Sequence, residues 1–207
     1  MFIELIDGLR CTSDHAPICL VAAITKRDDR HVIEGTLGCP TCRREYPIRD
    51  GIAWFRETVE ADATLFPVVP ADAEGAMRIG AFLAVSDGIT IALVGDWGRY
   101  ASELAGLVGL RVFAVNPQGA VAESEHVGVV YTDTRLPFKL GSLRGIAIDG
   151  SEWSAQDLEL AARLLSPGGR MVAPASSPVP GEIEEIIRDE RQWIGEKRGA
   201  LVALHRR

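Results

Sequence analysis

The pair Cys39-Pro40-Thr41-Cys42 limits what this chain can fold into more than any other feature. A CxxC turn presents two thiolates to one metal ion, and zinc takes four such ligands in a tetrahedron. The pair lies between strand-like segments. It does not open a helix after a strand, which is the setting of thioredoxin-type redox pairs. Gly35 and Gly38 suit the tight turns of a metal knuckle. The chain has four cysteines in all, and the other two, Cys11 and Cys19, do not form a second CxxC.

The missing half of the site has three candidates: Cys11, His15 and Cys19. Cys11-Thr12-Ser13-Asp14-His15 is polar and turn-like, which suits a knuckle. Cys19 stands in the apolar run "ICLVAAI" (Ile18–Ile24) and reads as a packed thiol. The preferred set is Cys11, His15, Cys39 and Cys42, with Cys19 in place of His15 as the alternative. A knuckle that has lost its metal and buries its thiols is the plainer reading. No Glu or His stands as a partner base, so the expected zinc is structural. A unit of this size has a thin core, and metal binding would supply much of its folding energy.

Residues 1–56 read as short strands and turns. "FIELI" reads as an apolar strand that could pair at an edge. Ile18–Ile24 reads as a buried strand, "KRDDRH" as a charged turn, "VIEGTLGC" as the returning strand, and Asp50-Gly51 as a turn before a last strand. Residues 57–72, with Pro67 and Pro70, read as a linker. From Ala73 the pattern changes. A helix is expected over Ala73–Gly88, with Met77, Ile79, Phe82, Leu83 and Val85 as its apolar stripe. Strands then alternate with helices: Ile89–Gly95, a helix over Arg99–Gly109, Arg111–Asn116, Val127–Asp133, Leu143–Gly150, a helix over Ser154–Gly169 capped by Ser154, and "RMVAPA". "GEIEEIIRDE" reads as an amphipathic helix, and a terminal hairpin turns near Lys197–Gly199. Near-continuous apolar strands alternating with helices imply a mostly parallel sheet covered on both faces. The fold expected is α/β: a small zinc-ribbon-like domain (1–56), a linker (57–72) and an abbreviated Rossmann-like domain (73–207) with a terminal antiparallel hairpin.

Charge narrows the function. The net charge is -7 over 207 residues, and residues 1–56 are balanced, so the acidic excess lies in the second part. Nucleic-acid binders usually carry a basic face, because phosphate neutralisation supplies most of their affinity. The acidic balance and 6% aromatic content argue against such a role, although Arg43, Arg44 and Arg49 gather beside the knuckle. No apolar run approaches the ~20 residues of a membrane span. "MFIELIDGLRC" has acids and no basic n-region, so it does not read as a signal peptide. A cytoplasmic location is expected, where cysteines serve as metal ligands or buried thiols.

"LGCPTCRREYPIRDGIAWF" resembles the zinc-ribbon family of methyltransferase activator subunits. Cys39, Cys42, Tyr46, Pro47, Ile48, Asp50, Gly51 and Ile52 carry the resemblance. It covers about residues 1–56 and departs where the family has a second CxxC. It implies a ribbon that docks onto a methyltransferase, completing its sheet or covering apolar surface. The remainder resembles an abbreviated class I S-adenosylmethionine methyltransferase. "LLSPGGRMV" is similar to the segment entering that family's fifth strand, "TDTRLPF" to its acidic loop after the third strand, and the terminal hairpin to its antiparallel last strand.

That second resemblance implies a cofactor site made of Gly95, Asn116 and Asp133, and the residues match it poorly. The fold needs a glycine-rich turn after the first strand so that backbone can approach the ligand. In "ALVGDWGRY", Leu93 stands where an acid belongs, and Trp97 and Arg99 stand where glycines belong. Trp97 is expected to fill cofactor space. Asn116 replaces the acid that would hold the ribose, and it is a weaker hydrogen-bonding partner than a carboxylate. Asp96, Asp133 and Asp149 also read as ordinary loop acids, and His31, His126 and His205 as solvated.

Three functions follow. The first is a zinc-binding, non-catalytic scaffold or partner-binding protein with an eroded cofactor site, in which S-adenosylmethionine is not expected to bind and a protein partner or self-association is. The second is an active methyltransferase with an unusual pocket. The third is a nucleic-acid-binding ribbon with a regulatory domain.

Overall fold

The structure, a computed structural model, describes residues 1–56, 72–133, 135–150 and 153–199. Residues 57–71 of the expected linker, and His205, lie outside the described residues. Among the described residues eleven strands form one continuous sheet in the order β1-β2-β3-β4-β7-β6-β5-β8-β9-β11-β10. They are β1 (Val21–Asp28), β2 (His31–Gly38), β3 (Glu45–Arg49), β4 (Ile52–Phe55), β5 (Thr90–Val94), β6 (Arg111–Val115), β7 (Val127–Thr132), β8 (Leu143–Ile148), β9 (Leu165–Pro174), β10 (Ile183–Arg188) and β11 (Gln192–Lys197).

The sheet has two characters. β1 to β4 form an antiparallel meander. β7, β6, β5, β8 and β9 run parallel, and β11 and β10 close the far side antiparallel. β5, β6, β7 and β8 have burial patterns dominated by buried residues, and β9 is buried over Met171–Ala173, as a sheet covered on both faces requires. Chain order reverses between β5 and β8, which makes their C-terminal ends a topological switch point, the usual ligand crevice of open α/β sheets. The second part is thus the class I methyltransferase-like arrangement, with its antiparallel hairpin.

The two parts share one sheet because β4 pairs parallel with β7, Trp54 opposite Tyr131. Helix α1 (Ile3–Ile6) and α4 (Ala155–Leu164) cover one face; α2 (Ala73–Phe82) and α3 (Ala101–Val108) cover the other. Leu5, Leu37, Tyr46 and Ile48 of the ribbon lie in the same buried cluster as Phe113, Phe138 and Leu158. The ribbon therefore draws on a larger core than its own length could supply. Glu123 adds a polar tie. Its carboxylate meets His31 Nε2 at 3.0 Å and the Met1 amine at 3.2 Å. His31 is thus an anchored residue, also stacked on Phe2, and not a solvated one.

Several local expectations are corrected. "FIELI" forms the helical turn α1, not a strand, and buries Leu5 and Ile6. β1 is exposed along its whole length, and Cys19 before it is exposed too. An apolar run cannot by itself distinguish a buried strand from an edge strand, and β1 is the sheet's edge. α2 ends at Phe82, short of Gly88; of the expected stripe Ile79 and Leu83 are buried and Phe82 and Val85 pack against the same cluster, but Met77 is exposed. α4 stops at Leu164, and Pro167, Gly168 and Gly169 belong to β9. "GEIEEIIRDE" contributes β10, a strand. Its isoleucines suit a pleated surface, and pairing with β11 overrides the helical spacing. β10 and β11 form a hairpin that turns at Asp189, whose Oδ1 accepts from Arg191 N and Gln192 N at 2.7 and 2.8 Å; the second arm of the hairpin expected to turn near Lys197–Gly199 lies outside the described residues.

Candidate metal centre and switch-point pocket

Four ligand atoms converge at the knuckle of the ribbon. Those of Cys11, His15, Cys39 and Cys42 all lie within 4.8 Å of one another. The turn between β2 and β3 supplies Cys39 and Cys42. Cys39 N donates to Arg44 O and Arg43 N to Cys39 O, both at 2.9 Å, and Arg43 takes a left-handed φ of 60° to close the turn. The segment between α1 and β1 supplies Cys11 and His15. Tyr46 pins that segment: its hydroxyl accepts from Thr12 N and lies 3.2 Å from Cys11 Sγ. The ring of Tyr46 rests on Phe55, with centroids 4.4 Å apart. Cys19 is not part of this cluster.

The spacing fits zinc. Tetrahedral Zn–S and Zn–N bonds imply S···S edges of about 3.8 Å and S···N edges of about 3.5 Å. Cys11 Sγ and Cys42 Sγ are 3.6 Å apart, and Cys39 Sγ and His15 Nε2 are 3.3 Å apart. The tautomer fits as well. His15 Nδ1 lies 2.8 Å from the Ala16 carbonyl oxygen. A carbonyl only accepts, so Nδ1 carries the proton and Nε2 faces the thiols, the outer-shell arrangement that orients a metal-bound imidazole.

Without metal the cluster is electrostatically tense. His15 is raised to about 9, chiefly by its bond to the Ala16 carbonyl and then by Cys42. Cys42 is pulled down to about 6, first by Ser13 and then by the Arg44 backbone N–H. Burial pushes Cys39 up. In Cys11 burial opposes ionisation, but hydrogen bonds from Ser13 and Tyr46 leave it below the usual thiol value. A bound cation would draw all four toward the forms a metal needs.

The second candidate site lies at the switch point. Gly95, Asn116 and Asp133 line one cavity of about 390 Å3 with Asp149 and Trp153. Two of their side chains, Asn116 and Asp149, bond to the chain itself. Asn116 Nδ2 donates to Thr132 O at 2.8 Å, and its Oδ1 accepts from Thr132 N at 2.9 Å. Each end of the amide makes one bond to the Thr132 backbone. Asp149 Oδ2 accepts from Asp96 N at 3.3 Å, so a carboxylate of the chain meets a backbone amide of the cofactor-type turn. That turn is a 3-10 segment, Gly95–Tyr100, and Leu93 before it is fully buried. Asn116 thus bonds to β7 where the resemblance implies an acid facing a ligand. Trp97 is corrected: it does not line this cavity but a neighbouring cleft, beside Tyr100.

Residues 4–51 match the family of Trm112p-like proteins. The ribbon is thus Trm112p-like, in agreement with the resemblance carried by Cys39 to Ile52. A search of curated proteins returned no significant match. Among solved structures, the chain is similar to a putative S-adenosyl-L-methionine-dependent methyltransferase from Methanococcus maripaludis, at 14% identity over 62% of this chain and 85% of that one, TM-score 0.45. It is also similar to the [4+2]-cyclase SpnF, at 16% identity over 48% and 43%, TM-score 0.41. A third likeness is to a chain in the complex between the Haloferax volcanii Trm112 methyltransferase activator and the putative methyltransferase, at 20% identity over 48% and 54%, TM-score 0.37. The chain spans less than half the length of SpnF. Among the described residues no helix is long and apolar enough to cross a membrane.

Proposed function

We propose that this protein is a non-catalytic scaffold in which a zinc-bound, activator-type ribbon is permanently joined to a methyltransferase-like body. Cys11, His15, Cys39 and Cys42 hold the metal, which fixes the knuckle and takes no part in chemistry. The ribbon adds strands to the sheet of its own body through β4 and β7. That strand edge is therefore used in cis. The observation that supports the non-catalytic reading is Asn116, whose amide makes two hydrogen bonds to the Thr132 backbone at the position where the resemblance implies an acid holding a ribose. A protein partner would meet β1 and β10, the two outer strands of the sheet among the described residues.

Calorimetric titration of the zinc-loaded protein with S-adenosylmethionine tests the proposal. Heat no greater than dilution supports it, and micromolar binding overturns it. The roughly 390 Å3 cavity holding Gly95, Asn116 and Asp133 is the observation that favours the second reading, an active methyltransferase, and the same titration decides between the two.

A further inference from the structure

A second cavity, of about 260 Å3, lies where the ribbon meets the body. One wall is the segment Arg10–Pro17, which carries Cys11 and His15. The opposite wall is α4 with the segment 135–140. Its floor is apolar: Leu136 and Phe138 are buried, and Leu160 and Trp153 are half-buried. Leu140 at its margin is 44% exposed, a large apolar side chain that an occupant would cover. The volume falls just below the ~300–1,000 Å3 typical of drug-sized ligands, so the occupant is small.

The charges of the lining decide what that occupant carries. Its two carboxylates already have hydrogen-bond partners. Asp157 closes the capping box of α4 with Ser154, and Asp14 lies 3.5 Å from Arg135. Two guanidiniums remain. Arg10 is held in place through Nη1, which donates to the carbonyls of Asp7 and Leu9 at 2.6 and 2.7 Å. Its other N–H groups have no partner among the described residues. Arg163, on α4 across the cavity, has no side-chain partner among them either. A fixed guanidinium beside an apolar floor suits an anionic oxygen group on an apolar body.

We propose that this cavity binds a small amphipathic anion: a medium-length apolar chain ending in a single carboxylate or phosphate. The apolar body lies on Leu136, Phe138 and Leu160, and the head meets Arg10 and Arg163. Because Cys11 and His15 belong to its wall, the cavity keeps its shape only while the knuckle is closed. Trp153 and Asp157 also line the switch-point cavity, so the occupant lies beside that site but outside it. The proposal does not depend on whether S-adenosylmethionine binds.

The test is calorimetric titration of the full, zinc-loaded chain with decanoate and with decyl phosphate, using decanol and acetate as controls. Saturable one-to-one binding of either anion is expected, with decanol and acetate at least tenfold weaker. The better of the two anions identifies the head group. Arg163→Ala and Leu160→Asp should each weaken binding at least fivefold without changing zinc content or the far-ultraviolet circular dichroism. Removing the zinc should weaken it by a similar factor. Failure of both anions to bind, equal binding of decanol, or indifference to both substitutions overturns the site. Unchanged binding in metal-stripped, still folded protein overturns the role given to the knuckle. Metal content is read separately, so a failure of the zinc assignment is distinguishable from a failure of this site.

Discussion

Trp54 of the ribbon stacks on Tyr131 of the parallel sheet, ring centroids 4.6 Å apart and planes 14° from parallel. The two residues face each other across the β4–β7 pairing. The Arg56 guanidinium lies over both rings, at 5.1 and 4.7 Å. Trp54 is 5% exposed, so this contact is buried at the join of the two parts. Trp54→Ala should cost about 3–5 kcal/mol, the range for deleting a large buried aromatic. Urea denaturation followed by circular dichroism should show the midpoint falling for the whole chain. A change confined to the ribbon would show that the parts unfold independently.

The metal assignment separates two residues only four positions apart. His15 Nε2 faces the thiols, whereas Cys19 is exposed and outside the cluster. His15→Ala should therefore lose stoichiometric zinc after gel filtration in dilute chelator, and Cys19→Ala should keep it. Elemental analysis of both variants measures this. The reverse pattern would exchange their roles.

Much of this was legible in the chain. The CxxC and the tyrosine, proline and glycine after it announce the ribbon because each has a local duty: Cys39 and Cys42 in the knuckle, Tyr46 against Cys11 and Phe55, Gly51 at a φ of 83°. The alternation of apolar strands and helices announced the doubly wound sheet. β10 was not legible, because Ile183, Ile186 and Ile187 occur at helical spacing and only the partner strand β11 makes them a strand. The exposure of β1 was hidden for a related reason: edge position is a property of the assembled sheet. Nor could the sequence show that Asn116 is committed, since Thr132 lies 16 residues away.

In metal-free protein Cys42, held at about 6, should alkylate readily. Only the thiolate reacts, and its fraction rises with pH through that value. Iodoacetamide labelling of the stripped protein, followed by peptide mass spectrometry, should show Cys42 modification rising with a midpoint near pH 6. Ser13 is the largest cause of the depressed value, so Ser13→Ala should move the midpoint upward. Zinc should suppress the reaction, because it occupies the same lone pair. A Cys42 profile with the midpoint of an ordinary thiol would contradict the hydrogen bonding described for the knuckle.

Restoring the expected acid tests whether the switch point has been converted to a structural use. In Asn116→Asp the carboxylate keeps the bond from Thr132 N but cannot donate to Thr132 O, and two acceptors then face each other. Leaving a buried acceptor without its donor costs ~1–3 kcal/mol. The φ of 47° at this position suits Asp nearly as well as Asn, so backbone strain adds little. Thermal or urea unfolding should therefore show a loss in that range, and titration with S-adenosylmethionine should show no gain in binding. If the variant keeps full stability and acquires affinity for S-adenosylmethionine, Asn116 is a tuned ligand residue and not a clamp between β6 and β7.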